Sequence, residues 1–376
     1  MSTKDFKDIA WPTDNYHLPG LLLAMSLSCC SSSLREYKAM GFGFSTGYHK
    51  FEHGESDMKK LIYTLLVISL LFFSTGCDTQ QKPVKVEDFA LGTVIHQEVY
   101  GANAQKAADE VSAKIKELDA LWTINNPGGD INKLNDHAGE GYIELNPETI
   151  SILKSARKIS DLSGGAAFDI TVAPLVKAWG VGTENPQVPA ADFVKKLVSL
   201  VNYQDVLIDE ATNSAGLRMK GQMVDLGGIA KGYIGDLAIE IYKNNGITSA
   251  FVNLGGHVVV LGSKPDGSAW RVAIQDPRGQ NGAFVGVVSV SDKAVVTSGD
   301  YQRYFTENGK RYCHILDPRT GYPADSGLMS VTIVASSSTE ADGMSKAFVL
   351  GLDQGRDLVE RYGKAEAVFI TDDKKV

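Results

Sequence analysis

Residues 221–233 read Gly221-Gln222-Met223-Val224-Asp225-Leu226-Gly227-Gly228-Ile229-Ala230-Lys231-Gly232-Tyr233. A strand-like run meets two glycines, and a helix follows whose first turns carry Lys231. Free backbone N–H groups at a helix start attract anions, and a lysine there reaches a phosphate. The spacing of a nucleotide P-loop is absent. An ordinary strand–turn–helix with an exposed lysine reads the same way, so this stretch indicates α/β architecture before it indicates a ligand.

Working outward, helical apolar spacing recurs at residues 104–121 through Ala107, Val111, Ile115 and Leu118. Pro147 opens a second helix to residue 163, where proline suits the first turn. Further helices are expected at 190–200, 226–245, 340–350 and 354–362. Strands are expected within 86–100 and at 249–253, 257–261, 270–274, 284–290, 294–297 and 367–371. There is no repeat at a fixed period and no linker long enough to force a boundary. The expectation is one compact domain over residues 87–376, α/β (α+β mixed), with central mixed sheets and flanking helices. A net charge of -8, with no basic stretch interleaved with aromatics, speaks against a nucleic-acid partner.

The N-terminal part follows another logic. Met58-Lys59-Lys60 precedes an apolar run, residues 61–73, and then Ser74-Thr75-Gly76-Cys77. A basic start, an apolar core too short to span a bilayer and a small-residue end follow signal-peptide order. Residues 58–76 are therefore expected to be a lipoprotein signal, Cys77 the lipidated residue and 77–86 a linker. Asp78 fits retention at a Gram-negative inner membrane, facing the periplasm. A signal belongs at a chain start, so translation is expected from Met58, with residues 1–57 a disordered extension that is not made. Beyond Cys29, Cys30 and Cys77 the chain has only Cys313, so no internal disulfide is expected.

Three more segments carry chemistry. Ala166-Ala167-Phe168-Asp169-Ile170-Thr171 sets a carboxylate among apolar residues, either as a ligand contact or as a cap. His314-Ile315-Leu316-Asp317-Pro318-Arg319-Thr320-Gly321 joins a turn to a histidine that can act as a base. Ala341-Asp342-Gly343-Met344-Ser345-Lys346 places an acid near a helix start, where it can cap or can hold a hard cation.

Together with Leu91-Gly92-Thr93 and Ser298-Gly299, these segments resemble, in family order, the ApbE family of FAD:protein FMN transferases. The resemblance runs from about Glu87 to the end of the chain. It implies an FAD site lined by Leu91, Ala167, Phe168, Asp169, Asp225 and Lys231, with Ile315 nearby. It implies Mg2+ held by the Gly228 carbonyl, the Asp342 carboxylate and the FAD pyrophosphate. It makes His314 and Asp342 the catalytic residues. The implied reaction is Mg-dependent transfer of FMN to a threonine or serine hydroxyl of a target flavoprotein, with AMP released. The implied acceptors are exported or periplasm-facing redox-pump subunits.

Two positions depart from the family pattern. Lys346 stands where many relatives carry a metal-binding threonine, and a protonated lysine offers no lone pair. Asn125 stands where relatives often place an aromatic beside the flavin. The smaller residue keeps open a second reading, an FAD pyrophosphatase giving FMN and AMP. A third reading is an FAD-binding lipoprotein without catalysis.

Overall fold

The computed structural model describes residues 9–10, 82–280 and 282–376. The expected signal segment, Cys77 and nearly all of residues 1–57 lie outside these. In chain order the strands are β1 (Ile9–Ala10), β2 (Val84–Ala90), β3 (Thr93–Tyr100), β4 (Ile143–Glu144), β5 (Val206–Asp209), β6 (Ser214–Leu217), β7 (Ser249–Leu254) and β8 (Val258–Leu261). There follow β9 (Trp270–Gln275), β10 (Phe284–Val290), β11 (Ala294–Gly299), β12 (Tyr304–Glu307), β13 (Lys310–Cys313), β14 (Leu328–Ala335) and β15 (Ala365–Thr371). Strand β2 thus begins at Val84.

The main sheet has seven strands in the order β15-β14-β11-β8-β7-β3-β2. Every ladder in it is antiparallel. The fold is therefore mixed in its α and β content, as expected, while its sheets run antiparallel. Along β8, alternating side chains split between two cores. Val259 and Leu261 of β8 join the helix-side core with Ile95, Val252 and Ile333. Val258 and Val260 point the other way, to Trp270, Val272 and Val288 of the β9–β10 hairpin. Coverage on both faces explains why every residue of β14 is buried.

The helical face is built as the apolar spacing requires. Helix Ala104–Trp122 buries Ala107, Val111, Ile115 and Leu118. Helix Pro147–Ser163 starts at Asn146, whose side chain accepts from the Glu148 amide at 2.9 Å, and stops at the left-handed Gly164. Some boundaries differ from expectation. The helix expected from Leu226 begins at Ala230, because residues 227–229 form the turn. The helix expected at 340–350 is an α-helix at Ser338–Met344 and a 3-10 helix at Ser345–Leu350. Strand β14, unforeseen, is a near-continuous apolar run, the pattern of a strand buried on both faces.

Candidate active site

The motif segments converge on a cleft of about 660 Å³. Ala167, Phe168, Asp169, Asp225, Gly228, Lys231, His314, Ile315, Asp342 and Lys346 all line it. Loops, the start of helix Ala230–Asn244 and the consecutive helices Ser338–Met344 and Ser345–Leu350 supply these residues, so only the folded chain brings them together. The approach is close. A Cβ on Gly228 would lie 3.0 Å from Phe168 Cε2 and 3.4 Å from Lys346 Cε, so glycine lets the ring and the lysine stem meet the turn.

Asp342 is 3% exposed and its two oxygens have different partners. Oδ2 accepts from the Gly232 amide at 3.0 Å, one of the free donors of the helix start. Oδ1 accepts from Lys346 Nζ at 3.1 Å. Burial works against the carboxylate charge, but Lys346, His257 and Lys231 outweigh it and hold the group below the usual carboxylate range. Lys346 Nζ also donates to the Asp342 carbonyl and to Ser345 Oγ, each at 3.1 Å. The ammonium therefore has all three of its donors engaged.

Two more cations belong to the same cleft, Lys231 and Arg303. Burial pushes the Lys231 pKa down, Asp342 resists this, and Lys346 and Arg303 add to it. Crowded cations of this kind match a diphosphate, whose charge offsets their repulsion. His314 Nδ1 lies 3.2 Å from the Arg303 carbonyl, to which it donates as the Nδ1–H tautomer. That tautomer leaves the Nε2 lone pair free to take a proton. Burial brings the His314 pKa down to about 4, with the nearby cations assisting, so the ring is neutral at physiological pH.

The two remaining carboxylates are tied into the local backbone. Asp169 Oδ1 accepts from the Thr171 amide and hydroxyl at 2.7 and 2.6 Å, and Oδ2 accepts from the Tyr203 amide at 2.8 Å. It caps the 3-10 turn Ile170–Val172 and fastens a second loop to it. Of the two roles open to it in the sequence, capping is the one its hydrogen bonds serve. Asp225 Oδ1 accepts from the Gly227 amide at 2.6 Å, which closes the turn, while its own amide bonds to the Ile170 carbonyl. Burial pushes both carboxyls up.

Leu91 and Asn125 are not among the residues lining the cleft. Leu91 sits in a tight turn at φ 55, its amide on Asp119 Oδ2, and the neighbouring Gly92 and Thr93 reach the cleft in its place. Asn125 is exposed on the loop after helix Ala104–Trp122. His257 was missed in the sequence. It lines the cleft, with Nε2 2.7 Å from Ser338 Oγ and Nδ1 3.7 Å from Asp342 Oδ2. Its signal was a second glycine pair, Gly255-Gly256, directly before it. Trp179 and Tyr301 also line the cleft, as does Arg303, which belongs to no motif.

The magnesium implied by the resemblance needs free oxygen ligands at about 2.0–2.1 Å. Asp342 Oδ1, the Asp342 carbonyl and Ser345 Oγ instead surround an ammonium. These residues fit a lysine cation and do not fit a dication beside it.

A family profile described as the ApbE family matches residues 91–369. An FAD:protein FMN transferase from Klebsiella pneumoniae is 32% identical over 287 residues, covering 76% of this chain and 88% of the relative. The solved ApbE protein of Thermotoga maritima superposes with a TM-score of 0.73 at 34% identity, covering 78% of this chain and 96% of the other. The flavinyl transferase ApbE of Pseudomonas stutzeri gives 0.70 at 30% identity, covering 78% and 92%. With its motifs gathered in one cleft and a match across most of its length, this chain belongs to the ApbE family.

Proposed function

We propose that this chain transfers FMN from FAD to a threonine or serine hydroxyl of a target flavoprotein, releasing AMP. The observation that carries the reading is the single cleft in which Lys231, Lys346, Arg303 and His314 meet beside an apolar wall of Phe168, Val176 and Trp179. A diphosphate suits the cations and a flavin ring suits the wall. In the reaction the acceptor oxygen bonds to the FMN-side phosphorus. The bridging P–O bond breaks, and its electron pair leaves with the AMP phosphate. The hydroxyl proton goes to His314 Nε2, which is neutral and within the cleft. The cations oppose the charge that builds on the leaving phosphate. The reading uses no metal step, because the acidic group assigned to magnesium already holds Lys346.

Hydrolysis of FAD is the competing outcome, and the residue that pointed to it, Asn125, lies exposed and outside the cleft lining. The deciding experiment combines the chain, FAD and an exported acceptor. Covalently yellow, fluorescent acceptor supports transfer, and free FMN with unmodified acceptor supports hydrolysis. The reading extends to place. The order of Met58-Lys59-Lys60, the apolar run and Cys77 supports a lipid anchor on the outer face of a bacterial inner membrane, with exported flavoproteins as partners. Mass analysis of the mature N-terminal peptide tests that anchor.

A further inference from the structure

We propose that Lys346 is the resident cation of the diphosphate site, so that FAD binds to this chain without a divalent metal. The inference rests on the FMN-transfer reading for its ligand and on the geometry of Lys346 for its content.

The lysine is held as a fixed part of the site. Its side chain is 14% exposed, and its Nζ lies 3.1 Å from Asp342 Oδ1. The Asp342 carbonyl and Ser345 Oγ complete the set at the same distance. Ser345 Oγ is itself fixed, bonding to the Asp342 carbonyl at 2.6 Å and to Ser298 Oγ at 2.7 Å. The lysine stem rests against Gly228, with Cε 3.4 Å from where a Cβ would stand. A long side chain loses rotamer freedom when fixed, and here that loss is incurred on folding and not on FAD binding.

Charge decides against a shared site. A dication bound by Asp342 would sit beside the Lys346 ammonium in a poorly solvated cleft, where like charges at about 4 Å repel strongly. Lys346 already occupies the Asp342 carboxylate oxygen and carbonyl that such an ion would need. The ammonium has no donor left for the ligand, so it acts on the diphosphate as a point charge. Direct hydrogen bonds to the ligand are left to Lys231 and Arg303, the other two cations of the cleft.

The test is FAD binding, read by flavin fluorescence, with Mn2+ binding read by electron paramagnetic resonance. With excess EDTA or excess magnesium, the wild-type dissociation constant for FAD changes by less than about twofold. Mn2+ titrated with FAD present shows no stoichiometric site. Lys346→Thr frees Asp342 and supplies a hydroxyl, so it gains one Mn2+ site and its FAD affinity rises by roughly tenfold or more with metal. A wild-type chain that binds one Mn2+ with FAD, or loses roughly tenfold in FAD affinity in EDTA, overturns the proposal. The wild-type titrations decide even where the variant does not fold. Metal-independent FAD binding without flavinylation of any acceptor leaves the lysine assignment standing and removes the transfer reading.

Discussion

The backbone amide of Gly232 donates to Asp342 Oδ2 at 3.0 Å, joining two motifs that lie 110 residues apart in the chain. Gly232 is the third residue of helix Ala230–Asn244, so its amide has no partner within the helix. Asp342 supplies that partner, and the helix start in turn favours the Asp342 charge. Such closeness requires glycine. A Cβ at Gly232 would lie 2.6 Å from the Ser338 carbonyl oxygen and 2.7 Å from Asp342 Cβ.

Gly232→Ala therefore sets two effects against each other. Alanine gains about 1 kcal/mol of helix propensity. Overpacking against a fixed backbone costs about 1–3 kcal/mol, and the obstructing atoms are backbone and Cβ, with no flexible end to give way. The expected result is a lower urea midpoint together with weaker FAD binding, because Asp342 and Lys346 shift with the displaced helix. An unchanged midpoint would show that the two helices are not held this closely.

Asp236 fixes the same junction from the other side. Its carboxylate accepts from the amides of Ser338 and Thr339 at 2.7 and 2.9 Å and from the Ser337 and Thr339 hydroxyls at 2.9 and 2.6 Å. It is a cap reached through space, in addition to the local Ser337 cap. Asp236→Ala is expected to cost about 2–4 kcal/mol, measured as a shift in urea midpoint at constant slope. A shift below about 0.5 kcal/mol would place the junction's stability elsewhere.

His314 is expected to separate binding from chemistry. His314→Gln should lower the transfer rate by about 10²–10⁴-fold while FAD affinity stays within about threefold. The pH profile adds a sign. The folded pKa lies near 4, below the ordinary 6.5, so the ring stays a base as pH falls through 6.5. The acid limb of kcat/KM, which reports the free enzyme, is expected near pH 4. A limb near 6.5 would mean that the base is a solvent-exposed group.

Cys313 is expected to be inert. It is 3% exposed, its Sγ–H faces the Ile315 and Ala324 carbonyls, and burial pushes the thiol up to about 11. Thiolate is scarce at pH 8, and thiolate is the reactive form. Peptide mapping after iodoacetamide should find Cys313 unlabelled in the folded protein and labelled in denaturant. Labelling at equal rates in both states would contradict the packing.

How far the sequence reached can be argued from particular residues. Ala107, Val111, Ile115 and Leu118 specified their helix because periodicity is a local signal. The glycine pair at 227–228 specified a turn for the same reason. Asp169 had two open roles; it lines the cleft, and only the position of Tyr203, 34 residues away, shows that both its oxygens also accept backbone amides. Leu91 and Asn125 were placed by likeness, which fixes a position along the chain but not the direction a side chain takes from it. His257 and Arg303 reach the cleft from strand ends and a loop whose neighbours are set by sheet order, and sheet order is a long-range property. Lys346 was legible as a departure, but its three oxygen partners were not.

The mass of an intact acceptor decides whether this chain transfers FMN. Purified chain is incubated with FAD and an exported flavoprotein carrying a candidate threonine, and the acceptor is weighed intact. A mass increase of one FMN is expected, lost when the acceptor threonine becomes alanine, with AMP released in equal amount. Release of FMN and AMP together, with the acceptor mass unchanged, would contradict it.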